Sequence, residues 1–124
     1  MTWTYNQKTG EISGNYEGKS YSGQGYSGHG THRNKPEDQN IKNEGPIPTG
    51  TYSIGKEHKG KNGPVILDLK PHSSNDMHGR SDFQIHGDSI KNPGTGSRGC
   101  IVLPREVRES ISKSGDSELK VVNE

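Results

Sequence analysis

The sequence predicts a small, mainly β single domain spanning 1–124: a sheet or barrel of about seven or eight short strands with one short helix near the C-terminus. Three observations carry this. The 124 residues contain 18 Gly, 7 Pro and no Ala, which opposes a helical bundle, because Gly and Pro are the poorest helix residues and Ala the best. The apolar residues fall in short, mostly β-branched runs. Gly, Pro, Asn and Ser clusters punctuate those runs as turns do.

Each element follows in order. Trp3, Tyr5 and Ile12 flank a turn at Lys8-Thr9-Gly10. Residues 19–26 alternate weakly around Tyr21 and Tyr26, and 28–45 are polar and without period, long enough for a connection to be functional or mobile. Gly45-Pro46-Ile47-Pro48-Thr49-Gly50 reads as a rigid turn, followed by a strand over 51–54 and a hairpin loop over 56–63. Val65-Ile66-Leu67-Asp68-Leu69 is the strongest strand signal and is expected at the centre. A polar loop over 71–81 leads to the strand Phe83–His86, a Gly-rich loop over 87–99, and the buried strand Cys100–Leu103. Pro104 stands where a helix N1 residue would, Val107 and Ile111 are spaced i, i+4, and Gly115 ends the helix 104–114. Residues 119–122 close the chain as a strand.

Composition removes several function classes. Leu, Ile, Val and Phe total 19 residues, but the net charge is only +1, so the low-hydrophobicity, high-charge route to disorder is half satisfied. The core is thin, and loop packing must supply part of the stability. No apolar run nears the ~18 residues of a membrane span, and residues 1–5 carry neither the charge nor the apolar stretch of a signal peptide. Without a Lys/Arg block, a dedicated nucleic-acid binder is not expected. The single Cys excludes an internal disulfide framework.

That cysteine concentrates the chemistry. Cys100 lies 14 positions after His86. If their strands are neighbours, the loop between them closes and places both residues at one end of the sheet, as a Cys–His nucleophile requires. Gly99 permits close backbone approach, and the Gly99 and Cys100 N–H groups are candidates for an oxyanion hole. Ser97 is a candidate for orienting the loop or substrate. The plain alternative is a small buried Cys and a satisfied strand-end His. His29, His32, His58, His72 and His78 read as exposed loop residues. His78, His86, Asp88 and Cys100 are zinc-compatible types, but no CxxC or HxxxH pair is present, so neither metal nor cofactor is expected. Tyr26 and Ser27 either line the groove or pack on the sheet.

Ile85-His86-Gly87, a spacer, and Ser97-Arg98-Gly99-Cys100-Ile101 resemble the signature of YkuD-type L,D-transpeptidases. Gly45 to Tyr52 resembles the Gly-Pro-x-Pro-x-Gly-x-Tyr stretch that opens a core strand there. With Tyr26-Ser27-Gly28-His29 and Gly79-Arg80-Ser81-Asp82-Phe83, the chain from Trp3 to Val122 is similar to the L,D-transpeptidase-like effectors delivered by type VI secretion systems. The resemblance implies a small L,D-transpeptidase-like fold, Cys100 as nucleophile, His86 as base, the Gly87 carbonyl orienting His86, and Gly99 with Cys100 at the oxyanion. It further implies a peptidoglycan tetrapeptide stem, cut before its terminal D-Ala, with the acyl group passing to water, a free D-amino acid or another stem. Arg98 stands in place of the family's second His, and Val102 in place of a following Arg or Asn. Arg98 stays protonated and cannot be a base, but it can bind a carboxylate, which favours cleavage or exchange over crosslinking. Asp88 either fixes the loop through Arg80 or Arg98 or is a solvated loop carboxylate, and Ser81 joins Arg80, Asp88, Arg98, Tyr26 and Ser27 as a substrate-binding or loop-supporting candidate.

The same resemblance implies synthesis in the cytoplasm, a delivery component, action in a target periplasm, and a cognate immunity protein over the Cys100 groove. Two other readings fit the residues: a non-catalytic wall- or partner-binding module, and a Cys–His amidase or peptidase acting on another bond.

Overall fold

A computed structural model describes residues 2–60, 63–89, 91–115 and 117–123. Among the described residues nine strands form one sheet: β1 (Trp3–Asn6), β2 (Glu11–Tyr16), β3 (Lys19–Gln24), β4 (Tyr26–Ser27), β5 (Gly50–Gly60), β6 (Gly63–Pro71), β7 (Phe83–His86), β8 (Ile101–Val102) and β9 (Glu118–Val122). The helix α1 spans Arg105–Ser114. Strand order is β3-β2-β1-β9-β5-β6-β7-β8-β4. The two edge strands, β3 and β4, are separated in sequence by Gly25 alone, so the sheet must curl until its edges nearly meet. This is the expected small β-sheet or barrel. Gly25 makes the corner possible: a Cβ there would stand 1.9 Å from the Val102 carbonyl oxygen.

The apolar runs point inward. Trp3, Tyr5, Ile12, Ile47, Tyr52, Leu67, Ile85, Ile101, Leu103, Ile111 and Leu119 form one cluster, each at most 2% exposed. The Trp3 ring packs against Gly14, and its Nε1 donates to Ser114 Oγ at 3.1 Å. Helix α1 turns Ile111 into the core, with Val107 packed against its rim. Its αL C-cap is Gly115 (φ 70°), which a residue without Cβ adopts freely. Pro104 stands one position earlier than expected, as N-cap rather than N1.

Three further expectations change. The loop expected over 56–63 is strand as far as Gly60, and pairing resumes at Gly63; residues 61 and 62, in its expected tip, lie outside the described residues. Residues 55–60 of this arm are all exposed, so no inward-facing alternation marked it. His58 accordingly sits on a strand, bonded to Asp68 at 3.0 Å. Residues 19–26 split into β3 and β4 at Gly25. The polar stretch 28–45 is folded around two 3-10 turns, at Gly30–His32 and Pro36–Asp38.

Candidate active site

β7 and β8 are adjacent, but parallel: Ile85 pairs with Ile101 and His86 with Val102. The expectation that both chemical residues meet at one end of the sheet is therefore corrected. His86 ends β7, whereas Cys100 precedes β8 and lies across from Gln84, whose backbone N–H draws its pKa down. A parallel pair needs a crossover of a dozen or more residues, and 87–100 provides it. The period-2 alternation of strands still places Gln84, His86, Cys100 and Val102 on one face. His86 and Cys100 are diagonal neighbours there, roughly 8 Å apart at Cα by strand geometry. Among the described residues no hydrogen bond joins them, and Cys100 Sγ lies 3.9 Å from the Asp82 carbonyl.

His86 is 4% exposed, and its Nδ1 lies 2.7 Å from the Gly87 carbonyl oxygen. A carbonyl only accepts, so Nδ1 carries the proton and Nε2 keeps its lone pair. Burial pushes the His86 pKa below its usual value, with the Arg108 charge acting in the same direction. Burial also raises the Cys100 pKa, against the opposing pull of the Gln84 N–H and Arg80. The resting pair is thus neutral imidazole and neutral thiol.

The strand start carrying Cys100 is held by two buried serines. Ser97 Oγ donates to the Cys100 carbonyl at 2.6 Å and accepts from the N–H groups of Gly28 and Gly99 at 2.9 and 3.1 Å. Ser27 Oγ donates to the Gly99 carbonyl at 2.9 Å and accepts from Ile47 N–H at 2.8 Å. Both serines are fully buried, so they orient the loop and do not line a groove. The Gly99 N–H is consumed by Ser97, which corrects its assignment to an oxyanion hole; the Cys100 N–H has no partner among the described residues.

Arg80 is the clamp beneath. It is 6% exposed and donates to the carbonyls of Gln39, Gly45, Pro46 and Arg98 at 2.6, 3.0, 2.8 and 3.4 Å. Its guanidinium lies 5.1 Å from the Phe83 ring centroid. At Gly99 (φ 132°) a Cβ would meet Arg80 Nη2 at 2.4 Å, so both backbone angle and space demand glycine.

Asp88 does not pair with Arg80 or Arg98, a further correction. Its carboxylate accepts from Tyr26 OH at 2.5 Å and from the N–H groups of Ser89, Gly94 and Gly96 at 2.8, 2.9 and 3.2 Å. Three N–H groups of its own loop and the Tyr26 hydroxyl of β4 satisfy it. These hydrogen bonds depress the Asp88 pKa against the opposing effect of burial. Burial, then Asp88, pushes the Tyr26 pKa to about 12. Tyr26→Phe should lower stability by about 1–2 kcal/mol, measurable as a shift in the urea unfolding midpoint. An unchanged midpoint would show that this knot contributes nothing.

Arg98 is exposed, 3.8 Å from Glu44, and Ser81 is exposed. Among the described residues no three His, Cys, Asp or Glu side chains converge as a metal site. Two clefts open beside the strands that carry the Cys–His diagonal, and neither is lined by Cys100 or His86 themselves. One of about 370 Å³, including Asp82, Phe83 and Gln84 in its lining, lies on the Cys100 side. One of about 360 Å³, including Tyr26, Asp88, Val102 and Arg108, lies on the His86 side. The sequence reading missed Arg108, 7% exposed; an Arg three positions before the core residue Ile111, on the same helix face, was the available signal.

Residues 22–123 match the Tlde1 domain. The chain belongs to the Tlde1 domain family. That family consists of L,D-transpeptidase-like type VI secretion effectors that target peptidoglycan. The Tlde1 fold here is similar to that of the helical cell shape determining protein Pgp2 from Campylobacter jejuni, with TM-score 0.59, 18% identity and 99% of this chain covered. A point mutant of Pgp2 gives the same TM-score and coverage at 16% identity. The chain spans 46% of the length of Pgp2, and at this identity the likeness is one of fold. No curated protein sequence matches the chain.

Proposed function

We propose that this Tlde1 domain is a Cys–His acyl-transfer enzyme acting on peptidoglycan tetrapeptide stems, as L,D-carboxypeptidase, as D-amino-acid exchanger, or both. The observation that carries the reading is His86, buried, with Nδ1 pinned to Gly87 at 2.7 Å and sharing a sheet face with Cys100. That tautomer leaves Nε2 as the base.

In the proposed cycle the Cys100 proton passes to His86 Nε2 as Sγ bonds the carbonyl carbon before the terminal D-Ala. The Cys100 N–H stabilises the oxyanion. The C–N bond then breaks, and the leaving amine takes the proton from His86. Water or an incoming amine gives a proton to His86, bonds the acyl carbon and displaces the thiolate, which recovers the proton. Substrate seating brings Nε2 and Sγ together, since such contacts tighten in the bound complex. Arg98, exposed beside Gly99, supports recognition of a stem carboxylate. Delivery by a type VI system into a target periplasm, and an immunity protein over the groove, complete the proposal.

The test is mass spectrometry of disaccharide-tetrapeptides incubated with wild type or Cys100→Ala, with and without D-Met. Loss of D-Ala, or its replacement by D-Met, that disappears in the variant is the expected result. Unchanged muropeptides with wild type at high enzyme concentration would overturn the reading and favour a binding module or a hydrolase of another bond.

A further inference from the structure

The cleft on the His86 side has features that the proposed cycle does not use. Arg108 enters it from α1. Its Nε donates to the Leu103 carbonyl at 3.0 Å, and its Nη1 to the Pro64 and Val65 carbonyls at 2.9 and 3.1 Å. Its Nη2 has no partner among the described residues and is not sealed from solvent. That nitrogen packs on Gly87, where a Cβ would meet it at 2.9 Å. Arg108, 7% exposed as a residue, thus offers a free donor beside the residue that orients His86.

Two independent features face the same space. Arg105 lines the cleft; it is 61% exposed and holds Glu109 only loosely, at 3.8 Å. The α1 N-terminus opens there through Pro104 and Arg105, and no side chain caps it. Its first-turn N–H groups therefore remain available to an anion. The carboxylate of Asp88 also lines the cleft, but four donors already occupy it. Glu106, in the first turn of α1, is exposed. Val102 and Leu103 give the cleft an apolar wall. Two guanidinium groups and a free helix start beside an apolar wall suit an amino acid held by its carboxylate.

We infer that this cleft is a carboxylate subsite, binding the amino-acid residue whose nitrogen leaves or attacks the acyl carbon on Cys100. The assignment of that residue rests on the acyl-transfer reading; the binding of a carboxylate does not. Position supports the role. Val102 is the register partner of His86 and lines the cleft, so a residue seated there has its amine on the side of the base that exchanges its proton. The same carboxylate can come from the terminal D-Ala of the stem or from a free amino acid.

The experiment is an NMR titration of the isotope-labelled Cys100→Ala protein, which cannot turn over. The probes are D-methionine, D-methioninol, a D-Ala-terminated stem tetrapeptide and its C-terminal amide. The expected result is saturable shifts at the Asp88, Leu103 and Arg105 amides with a carboxylate-bearing probe, at least ~10-fold weaker with its uncharged counterpart. Shifts with D-methionine assign the subsite to a free acceptor as well; shifts with the tetrapeptide alone assign it to the leaving residue. Arg105→Gln should weaken this binding about 5-fold or more, as should Arg108→Lys. Because Arg108 also holds three carbonyls, the exposed Arg105 variant decides if Arg108→Lys does not fold. Equal shifts with acid and uncharged probe, no cleft shifts with any probe, or unchanged affinity in Arg105→Gln would overturn the proposal. A failed muropeptide assay would overturn the catalytic reading without touching this measurement.

Discussion

Arg80→Met should remove about 3–5 kcal/mol of stability, a large share of the 5–15 kcal/mol typical of a domain. Met keeps length and volume but donates nothing. Four carbonyls, from Gln39, Gly45, Pro46 and Arg98, lose their donor. An unsatisfied buried group costs about 1–3 kcal/mol, and those nearest solvent recover water, so the sum falls short of four full penalties. Loss of the guanidinium–Phe83 contact adds to it. Arg80→Lys should recover part of the loss, because an ammonium keeps charge and three donors but cannot span four acceptors in a fixed plane. Urea unfolding of both variants checks this. A loss under ~1 kcal/mol in Arg80→Met would show that the loops, not the clamp, hold one another. The same clamp holds the stretch Gly45 to Gly50 in place. Its first two carbonyls are Arg80 acceptors, Ile47 N–H bonds Ser27, and the Pro48 carbonyl accepts from Tyr52 OH at 2.7 Å.

The parts of the fold legible in sequence are those where side-chain pattern alone sets structure. Val65 to Leu69 is a continuous apolar run interrupted once, and it lies next to the middle of the sheet. Val107, Ile111 and Gly115 mark α1 to within a residue. Illegible were features set by partners distant in sequence. The direction of β8 relative to β7 depends on how a 14-residue connection travels, and apolar content does not encode that. The length did carry a hint, since a tight antiparallel return needs far fewer residues. Arg80 and Arg108 were hard to place inside because arginine is usually exposed; what buries them is the set of loop and strand-end carbonyls left without donors. At the candidate site, the residues of the His-Gly and Gly-Cys pairs were readable as chemistry. Their diagonal placement, and the diversion of the Gly99 N–H to Ser97, required coordinates.

His86→Gln should reduce acyl transfer at neutral pH by about 10²–10⁴-fold, the usual contribution of a positioned base. Gln has similar size and can keep a hydrogen bond to Gly87, but it cannot take a proton. The reason the loss is large lies in the thiol. Burial raises the Cys100 pKa above its ordinary 9.0, so at pH 7 little thiolate forms unaided, and the thiolate is the nucleophile. The variant should therefore regain part of its rate as pH rises beyond 9, where the thiol ionises without help. Wild type should behave oppositely at the acid end. Its His86 pKa is depressed from 6.5, so the neutral, active imidazole persists below that pH and is lost only at the lower folded value. The same sign holds for stability: the unfolded chain takes the proton first, so the domain weakens as pH falls from 6.5 toward the folded pKa. Rate–pH profiles of kcat/KM for both proteins check the prediction. A wild-type acid limb above pH 6.5, or a His86→Gln rate within ~3-fold of wild type at pH 7, would remove His86 from the role of base. Cys100 would then need another proton acceptor, and the exposed Asp82, whose carbonyl already approaches its sulfur, is the nearest carboxylate in sequence to that contact.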